Sequence, residues 1–341
     1  MAVEKRTAPR ADDLSDSSTV AVIGAGLIGS AWAHVFARAG WHVQVWDPSA
    51  AQREAVLPRV QQSLRDGAAY GLVADADAAT SRVHVVDSIA AAVAGADYVQ
   101  ESGPEHLDTK IAVFAQLDAL AAPATVLASS TSALVASRFT EQLPGRARCL
   151  VAHPVNPPHL VPVVEVCGAP WTDPAVKTRA MDILRRVGQV PIDVRREVDG
   201  FVLNRLQVAL LTEAFRLVQG GVVSPQDLDH TIADGLGLRW ALMGPFETIE
   251  LNAPGGMADY CRRYVDWFRR YLADPPTPAV WTDAAWQQAV AAWGRTPTPE
   301  QIASRSRRRD RRLAALVAHK RDQSADEAAS SSPPSNAEDP S

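Results

Sequence analysis

The sequence has few cysteines and no long apolar run, and both shortages exclude classes of protein. Its three cysteines, Cys149, Cys167 and Cys261, include no CxxC pair, which argues against a disulfide framework and against a metal site of the zinc type. No segment offers the roughly 18 consecutive apolar residues of a transmembrane helix. The first 18 residues also lack the apolar core of a signal peptide. These absences predict a soluble cytoplasmic protein without a metal.

The charge balance lacks an excess of either sign. With 34 Lys and Arg against 39 Asp and Glu, the chain of 341 residues carries a net charge of -5. This balance gives no electrostatic reason to expect nucleic acid or a membrane as a partner. One basic run, over 304–321, departs from it, and we interpret that run as a solvated helix face. A small molecule is the expected partner.

The hydrophobic pattern changes once along the chain. Residues 1–18 and 322–341 hold few large apolar groups and are predicted to be disordered. Over 19–196, short β-branched runs alternate with helical stretches, which is typical of a parallel sheet covered by helices. Over 197–321 the strand-like runs vanish and amphipathic helical stretches replace them. The prediction is an α/β Rossmann-like domain followed by an all-helical domain.

A glycine motif near the start of the first domain predicts a dinucleotide site. The stretch "TVAVIGAGLIGSAWAHVFARAGWHVQVWDP" has the order strand, glycine loop, helix, strand, with GxGxxG at Gly24, Gly26 and Gly29. The three glycines serve a tight turn, a close approach of the backbone to a pyrophosphate, and close packing of the helix on the sheet. Leu27 and Ile28 open that helix, whose free N–H groups favour an anion.

The second strand of this unit ends at Asp47, which predicts the choice of cofactor. A carboxylate at this position can hold both ribose hydroxyls of the adenosine half. It also repels a 2′-phosphate. We therefore expect NAD rather than NADP.

The stretch "LVAHPVNPPHLVPVVEVCG" places His153 at the end of one apolar run and Glu165 within the next. Imidazole is a suitable base for the hydroxyl proton of an alcohol near pH 7. A carboxylate on its other nitrogen would fix the tautomer, and a buried carboxylate needs such a partner. The alternative, a structural histidine and a strand-edge glutamate, stays open on spacing alone. His159, in the proline loop, is expected to be exposed.

Together with "ESGPEHLDTK", "SSTSAL", "EVDGFVLNRLQ" and "GLGLRWALMGPFET", these stretches resemble the 3-hydroxyacyl-CoA dehydrogenase superfamily and, within it, the λ-crystallin / L-gulonate 3-dehydrogenase branch. The resemblance implies that His153 is the catalytic base and Glu165 its orienting acid. It implies that Ser132 contacts both the substrate oxygen and the nicotinamide. Asn204 corresponds to the residue that helps to hold the substrate carbonyl oxygen.

The same resemblance implies further cofactor contacts and a partner. Glu105 and Lys110 match positions near the NAD ribose and nicotinamide, and Asn156 lies near the nicotinamide amide. Lys110 and Asn156 could instead be surface or turn residues. The resemblance also implies a homodimer formed through the helical domain.

Two departures from the acyl-CoA enzymes bear on the substrate. After the second strand the chain offers Arg53, Arg59 and Arg65 but no lysine cluster for the CoA nucleotide, and spread arginines are typical of a solvated face. Arg239 replaces a small or apolar residue of those enzymes, and a guanidinium is suited to a small carboxylate. The alternative is that Arg239 only pairs with an acid of a partner domain.

These observations predict NAD-dependent oxidation of the 3-hydroxyl of a small hydroxy acid, with L-gulonate to 3-dehydro-L-gulonate as the named reaction. L-carnitine and 3-hydroxyacyl-CoA are alternative substrates. A non-catalytic, crystallin-like structural role is the alternative from another class. That alternative predicts the loss of a site residue, whereas His153, Glu165, Ser132 and Asn204 are all present.

Overall fold

The computed structural model describes residues 18–331, which form two compact units. The first takes the chain up to Val202 and again from Ser306, and the second takes Leu203–Arg305. The predicted disordered ends fall largely on residues 1–17 and 332–341, which lie outside the described residues.

The first unit is built on one sheet of eight strands, most of them separated by helices along the chain. The strands are β1 (Thr19–Ile23), β2 (His42–Trp46), β3 (Val83–Val85), β4 (Tyr98–Glu101), β5 (Val126–Ser129), β6 (Cys149–Pro154), β7 (Val163–Gly168) and β8 (Val190–Val194). Their order in the sheet is β3-β2-β1-β4-β5-β6-β7-β8. Strand order therefore reverses between β1 and β4, which confirms a Rossmann-like arrangement.

Helices cover the sheet. They are α1 (Leu27–Arg38), α2 (Ala50–Ala68), α3 (Ala76–Thr80), α4 (Ile89–Val93), α5 (Leu107–Leu120), α6 (Ser137–Thr140) and α7 (Pro174–Arg186). One apolar cluster of the core contains Trp32, Phe36 and Tyr98, and a second contains Phe114 and Phe139. The central strands β4 and β5 are buried along their whole length, as expected for a sheet covered on both faces.

The last two strands differ from the predicted parallel sheet. Strands β1 to β6 pair in parallel, β7 is antiparallel to β6, and β8 is parallel to β7. The cause is the short connection over 155–162, which has no helix and is too short for a parallel crossover. Strand β8 departs from the pattern of short buried β-branched runs, since it is a largely exposed strand at the sheet edge that contains Pro191.

The second unit is all helical, as predicted. It contains α8 (Leu203–Gln219), α9 (Pro225–His230), a π-helical turn (Thr231–Leu236), α10 (Gly237–Trp240), α11 (Pro245–Glu250), α12 (Gly256–Tyr271), α13 (Asp283–Trp293) and the start of α14 (Pro299–Ser331). Within residues 18–331, no helix has the length and apolar character needed to cross a membrane.

Helix α14 belongs to the first unit from Ser306 onward. Its less exposed positions include Asp310, Leu313, Ala314 and Val317, which recur at helical spacing. Arg321 Nη1 donates to the carbonyl of Gly71, just after α2, at 2.7 Å. The helix then continues to Ser331, past the point at residue 322 where the sequence predicts a disordered tail. Ala, Gln and Glu in this stretch are good helix formers, so a polar sequence extends the helix.

A pair of histidines lies between α1 and the connection that follows β6. The rings of His34 and His159 are 4.8 Å apart, and His34 Nδ1 is 2.8 Å from Ser63 Oγ. His34 Nε2 and His159 Nδ1 are buried without a hydrogen-bond partner among the described residues. The expectation that His159 is an exposed loop residue is therefore wrong, because the loop folds back onto α1, where Arg38 donates to the His159 carbonyl.

This pair predicts acid sensitivity of folding. Burial lowers the pKa of His34 well below its usual value and lowers that of His159 to about 4, with the charge of Arg38 acting in the same direction on both. In the unfolded chain both histidines bind a proton near pH 6.5, whereas in the folded chain they stay neutral to lower pH. The stability of the fold that depends on these neutral rings is therefore fully present above pH 6.5 and is lost as the pH falls toward 4. His34→Gln should make this loss shallower, as measured by urea midpoints at several pH values.

The matched control is His84→Gln, which removes an exposed histidine from β3. If His34→Gln and His84→Gln gave the same dependence as the parent chain, the histidine pair would not be the source of acid sensitivity.

Candidate active site

The candidate site lies at the edge of the sheet where the parallel strands end. Strands β1, β2, β4, β5 and β6 run in the same direction, so the residues that follow them share one edge. Gly24 follows β1, Asp47 follows β2, Ser102 follows β4 and Ser130 follows β5, while His153 is near the end of β6. This edge, at the reversal of strand order, is where ligands bind in open α/β sheets.

The glycine loop has the geometry of an anion cradle. A Cβ on Gly24, whose φ is +104°, would lie 2.7 Å from the Ser102 carbonyl carbon, and one on Gly29 would lie 1.8 Å from the Gly24 carbonyl oxygen. A Cβ on Gly26 would meet nothing within 4 Å, so space is open beside it. No side chain caps α1, which begins at Leu27, and its first N–H groups can face a pyrophosphate. These residues fit NAD.

Asp47 is held in place by the backbone. Its Oδ2 accepts from the Ala25 N–H at 2.7 Å, and its Oδ1 accepts from the Ser49 N–H at 2.8 Å. Each carboxylate oxygen has a second lone pair available for a ribose hydroxyl. Arg59 is exposed, as predicted, and its guanidinium also donates to the Ala25 carbonyl at 2.8 Å. It reaches the glycine loop from α2, a contact that spacing does not reveal.

His153 and Glu165 are directly opposite each other in the antiparallel β6–β7 pair. His153 Nδ1 lies 2.9 Å from Glu165 Oε2, and both side chains are buried. A carboxylate can only accept, so Nδ1 carries the proton and Nε2 is left as the acceptor in the neutral ring. The structure thus brings together the two residues that the sequence analysis paired.

Phe201 and Val202, which follow β8 in the chain, contact His153 and Glu165. The sequence analysis did not predict these contacts. The Val202 N–H donates to Glu165 Oε1 at 2.7 Å. The buried Phe201 ring packs against the His153 ring, with centroids 5.6 Å apart. Phe201 has a φ of +47° and follows Gly200 at +76°, a conformation that costs about 1–3 kcal/mol for a residue other than glycine. The signal available in the sequence was the turn dipeptide Asp199-Gly200.

Lys110 is buried in an ion pair at the end of β4. Its Nζ lies 2.8 Å from both carboxylate oxygens of Glu101 and 3.2 Å from the Gly103 carbonyl. Ser129 also donates to Glu101, at 2.6 Å. The two Glu101 oxygens and the Gly103 carbonyl give Lys110 three acceptors, which match the three N–H bonds of its ammonium group. Lys110 thus holds the backbone beside the glycine loop, and its direct contact with the cofactor stays a prediction.

The other predicted residues of the first unit lie on loops at the same edge. Glu105 Oε1 accepts from the Thr131 hydroxyl and from the Ala133 N–H, so it ties the loop after β4 to the loop that carries Ser132. Ser132 is half-buried, and Asn156 is exposed in the connection after β6. Their contacts with a ligand stay predictions.

Two predicted residues belong to the second unit. Asn204 is half-buried in the first turn of α8, and Arg239 is exposed in α10, directly after the π-helical turn. Within the part of the chain that the structure describes, the Arg239 guanidinium makes no hydrogen bond or ion pair. The alternative that it pairs with an acid of a partner domain stays a prediction.

A buried polar network behind the glycine loop was also missed. Ser130 Oγ lies within hydrogen-bond distance of Trp32 Nε1, Gln100 Nε2 and Ser102 Oγ. The sequence contains these groups in three separate stretches, so their meeting depends on sheet order.

Comparison with known proteins identifies the family. The NAD binding domain of 3-hydroxyacyl-CoA dehydrogenase matches residues 19–198, and the C-terminal domain of the same family matches residues 200–295. Rabbit (Oryctolagus cuniculus) λ-crystallin is 39% identical over 89% of this chain and 96% of its own. An L-carnitine dehydrogenase of a Pseudomonas species is 36% identical over 88% and 92%.

A solved structure extends the comparison. It is an NAD-dependent dismutase described as a 5-formyl-3-hydroxy-2-methylpyridine 4-carboxylic acid 5-dehydrogenase. It superimposes with a TM-score of 0.77 at 28% identity and covers 89% of this chain and 98% of its own. With a glycine cradle that fits NAD, a buried His–Glu pair and both family domains, this chain belongs to the 3-hydroxyacyl-CoA dehydrogenase family of NAD-dependent oxidoreductases that act on CH–OH donors.

Proposed function

We propose that this protein oxidises the 3-hydroxyl of a small hydroxy acid with NAD, and that L-gulonate, giving 3-dehydro-L-gulonate, is its substrate. The observation that carries the chemistry is the buried His153–Glu165 pair beside the dinucleotide cradle. The similarity to λ-crystallin supports the branch, and the carboxylic acid named for the structural relative supports a small acid as substrate.

The proposed mechanism separates the proton from the hydride. His153 Nε2 takes the proton of the substrate hydroxyl while the C–H hydride of the same carbon leaves. NAD, held by the glycine loop and Asp47, would supply the acceptor for that hydride. Glu165 holds Nδ1–H and stabilises the imidazolium that forms. Ser132 and Asn204 orient the oxygen of the reacting carbon, and Glu105 keeps the Ser132 loop in position through Thr131 and Ala133.

The substrate carboxylate needs a positive charge, because an unpaired buried carboxylate is costly. Lys110 is already neutralised by Glu101. We assign the role of anchor to Arg239, whose exposed guanidinium has no acid partner among the described residues. L-Carnitine also carries a carboxylate, so it is the second candidate, supported by the Pseudomonas relative. A thioester has no carboxylate at that position.

The helical unit is the proposed surface for pairing with a second copy of the chain. Large apolar side chains are exposed across it, among them Leu242, Phe246, Leu251 and Leu272, each at least 67% exposed. Extended apolar exposure of this kind is typical of a protein interface. The three cysteines are free thiols, which agrees with the proposed cytoplasmic location.

A substrate panel tests the proposal. L-Gulonate, L-carnitine and 3-hydroxybutyryl-CoA are each offered with NAD, and NADH formation is recorded. We expect the highest kcat/KM for L-gulonate and the lowest for the thioester. NADP should support much slower turnover, because Asp47 repels its 2′-phosphate. A thioester that outperforms both acids would reject the small-acid proposal, and absence of turnover throughout would favour the structural role.

The catalytic pair gives a second prediction. His153→Asn should lower kcat by a factor on the order of 10² to 10⁴, the usual contribution of a positioned base. Glu165→Gln should lower it less, because the base remains while the orienting charge is lost. The Kd for NAD, measured by calorimetry, should change little in both variants. His84→Asn on the exposed β3 is the matched control, and near-normal turnover of His153→Asn would make His153 a structural residue.

Arg239 gives a third prediction. Arg239→Met keeps much of the bulk and removes the charge. Since a hydrogen bond to a charged group contributes about 1.5–3 kcal/mol, kcat/KM for the best small acid should fall roughly tenfold to a hundredfold. The NAD Kd should stay unchanged. Arg270→Met, at an exposed position of α12, is the control. Equal efficiency of Arg239→Met and the parent would dismiss Arg239 as the anchor.

A further inference from the structure

Two serines at the ends of neighbouring strands form a directed hydrogen-bond chain beside the glycine loop. Ser102 follows β4 and Ser130 follows β5, and their hydroxyl oxygens are 2.8 Å apart. Either could donate to the other by distance alone. The groups packed around Ser130 decide which one does.

The Ser130 oxygen already accepts two hydrogen bonds. Trp32 Nε1, which can only donate, lies 3.1 Å away, and Gln100 Nε2 lies 2.7 Å away. The orientation of the Gln100 amide is set by its other contacts. Its Nε2 also reaches the Ala152 carbonyl, at 3.3 Å, and its Oε1 accepts from the Tyr98 hydroxyl at 3.0 Å. Burial raises the pKa of Tyr98, so this hydroxyl stays protonated and keeps donating.

A hydroxyl oxygen has two lone pairs and one proton. Because both lone pairs of Ser130 are used, its proton is the part that remains, and Ser102 Oγ is the acceptor within reach. Ser102 Oγ thus accepts from Ser130, and its own proton points elsewhere. Ser102 is half-buried, and within residues 18–331 its hydroxyl makes no other hydrogen bond. This leaves a positioned donor without a protein acceptor.

The location of Ser102 indicates what that donor faces. The Ser102 backbone is in close contact with Gly24. A Cβ added at Gly24 would lie 2.7 Å from the carbonyl carbon and oxygen of Ser102. Strand β4 lies on one side of β1, and β2 with Asp47 lies on the other. In sheets of this kind the two halves of a dinucleotide lie on either side of the reversal of strand order. With Asp47 on the adenosine side, Ser102 is on the nicotinamide side.

We propose that the Ser102 hydroxyl donates a hydrogen bond to a ribose or phosphate oxygen of the nicotinamide half of NAD. The hydrogen-bond chain from Tyr98 through Gln100 and Ser130 fixes the direction of this donor before the cofactor arrives. Ser102 is therefore a preorganised cofactor-binding residue, and this assignment does not depend on which substrate is oxidised.

Binding of whole and half cofactor tests the proposal. Calorimetric titration of the full chain with NAD and with ADP separates the two halves, because ADP lacks the nicotinamide and its ribose. Ser102→Ala should raise the Kd for NAD about threefold to tenfold, the usual contribution of one hydrogen bond. The Kd for ADP should stay within twofold. Ser81→Ala, which removes an exposed hydroxyl that donates to the Ala78 carbonyl, is the matched control.

Two outcomes would overturn the assignment. An NAD Kd within twofold of the parent would mean that Ser102 only satisfies Ser130. Equal weakening of NAD and ADP would mean that the substitution disturbs the loop around Gly24. Should Ser102→Ala fail to fold, Ser102→Cys keeps the shape with a weaker donor and is expected to raise the NAD Kd while leaving ADP unchanged.

Discussion

The buried carboxylate of Glu165 is the constraint around which the candidate site is organised. A charge in this position is tolerated only with full pairing, and its two oxygens take the His153 imidazole and the Val202 N–H. The first contact depends on the antiparallel register of β6 and β7. The second holds the chain at Phe201 in an unfavourable backbone conformation. One carboxylate thus links the sheet, the His153 imidazole and the segment that leads out of the first unit.

The features that sequence patterns predicted are those determined over short distances. The glycine loop, the acid at the end of β2 and the order of a sheet unit before a helical unit follow from residues close together in the chain, and the structure has all three. Residues 306–321, which were predicted in the helical domain, belong to the first unit instead. His153 and Glu165 are twelve positions apart, on two strands joined by a short connection. Their pairing could be expected because a buried acid needs a partner, although the antiparallel direction of β7 was not foreseen.

The features that were missed depend on contacts between distant segments. Trp32 of α1 reaches Ser130, 98 positions further along the chain, and the Val202 N–H reaches Glu165 across 37 positions. The contact of the exposed Arg59 with the Ala25 carbonyl was missed because helical spacing does not report the nearby glycine loop. His159 was interpreted as exposed because a proline-rich loop does not reveal what it folds onto. Hydrophobic periodicity describes faces of elements, and it does not specify which polar groups meet between them.

The return of α14 to the first unit has a consequence for synthesis on the ribosome. Residues 306–331 pack with the sheet unit, yet they are made only after all of residues 203–305. At about 5–20 residues per second, that intervening segment takes roughly 5–20 s to translate. During this interval the sheet can form, but the part of α14 that lies near His159 and Gly71 has not yet been made. The nascent chain therefore lacks, for that interval, the contact by which Arg321 ties the end of the chain to the Gly71 carbonyl after α2.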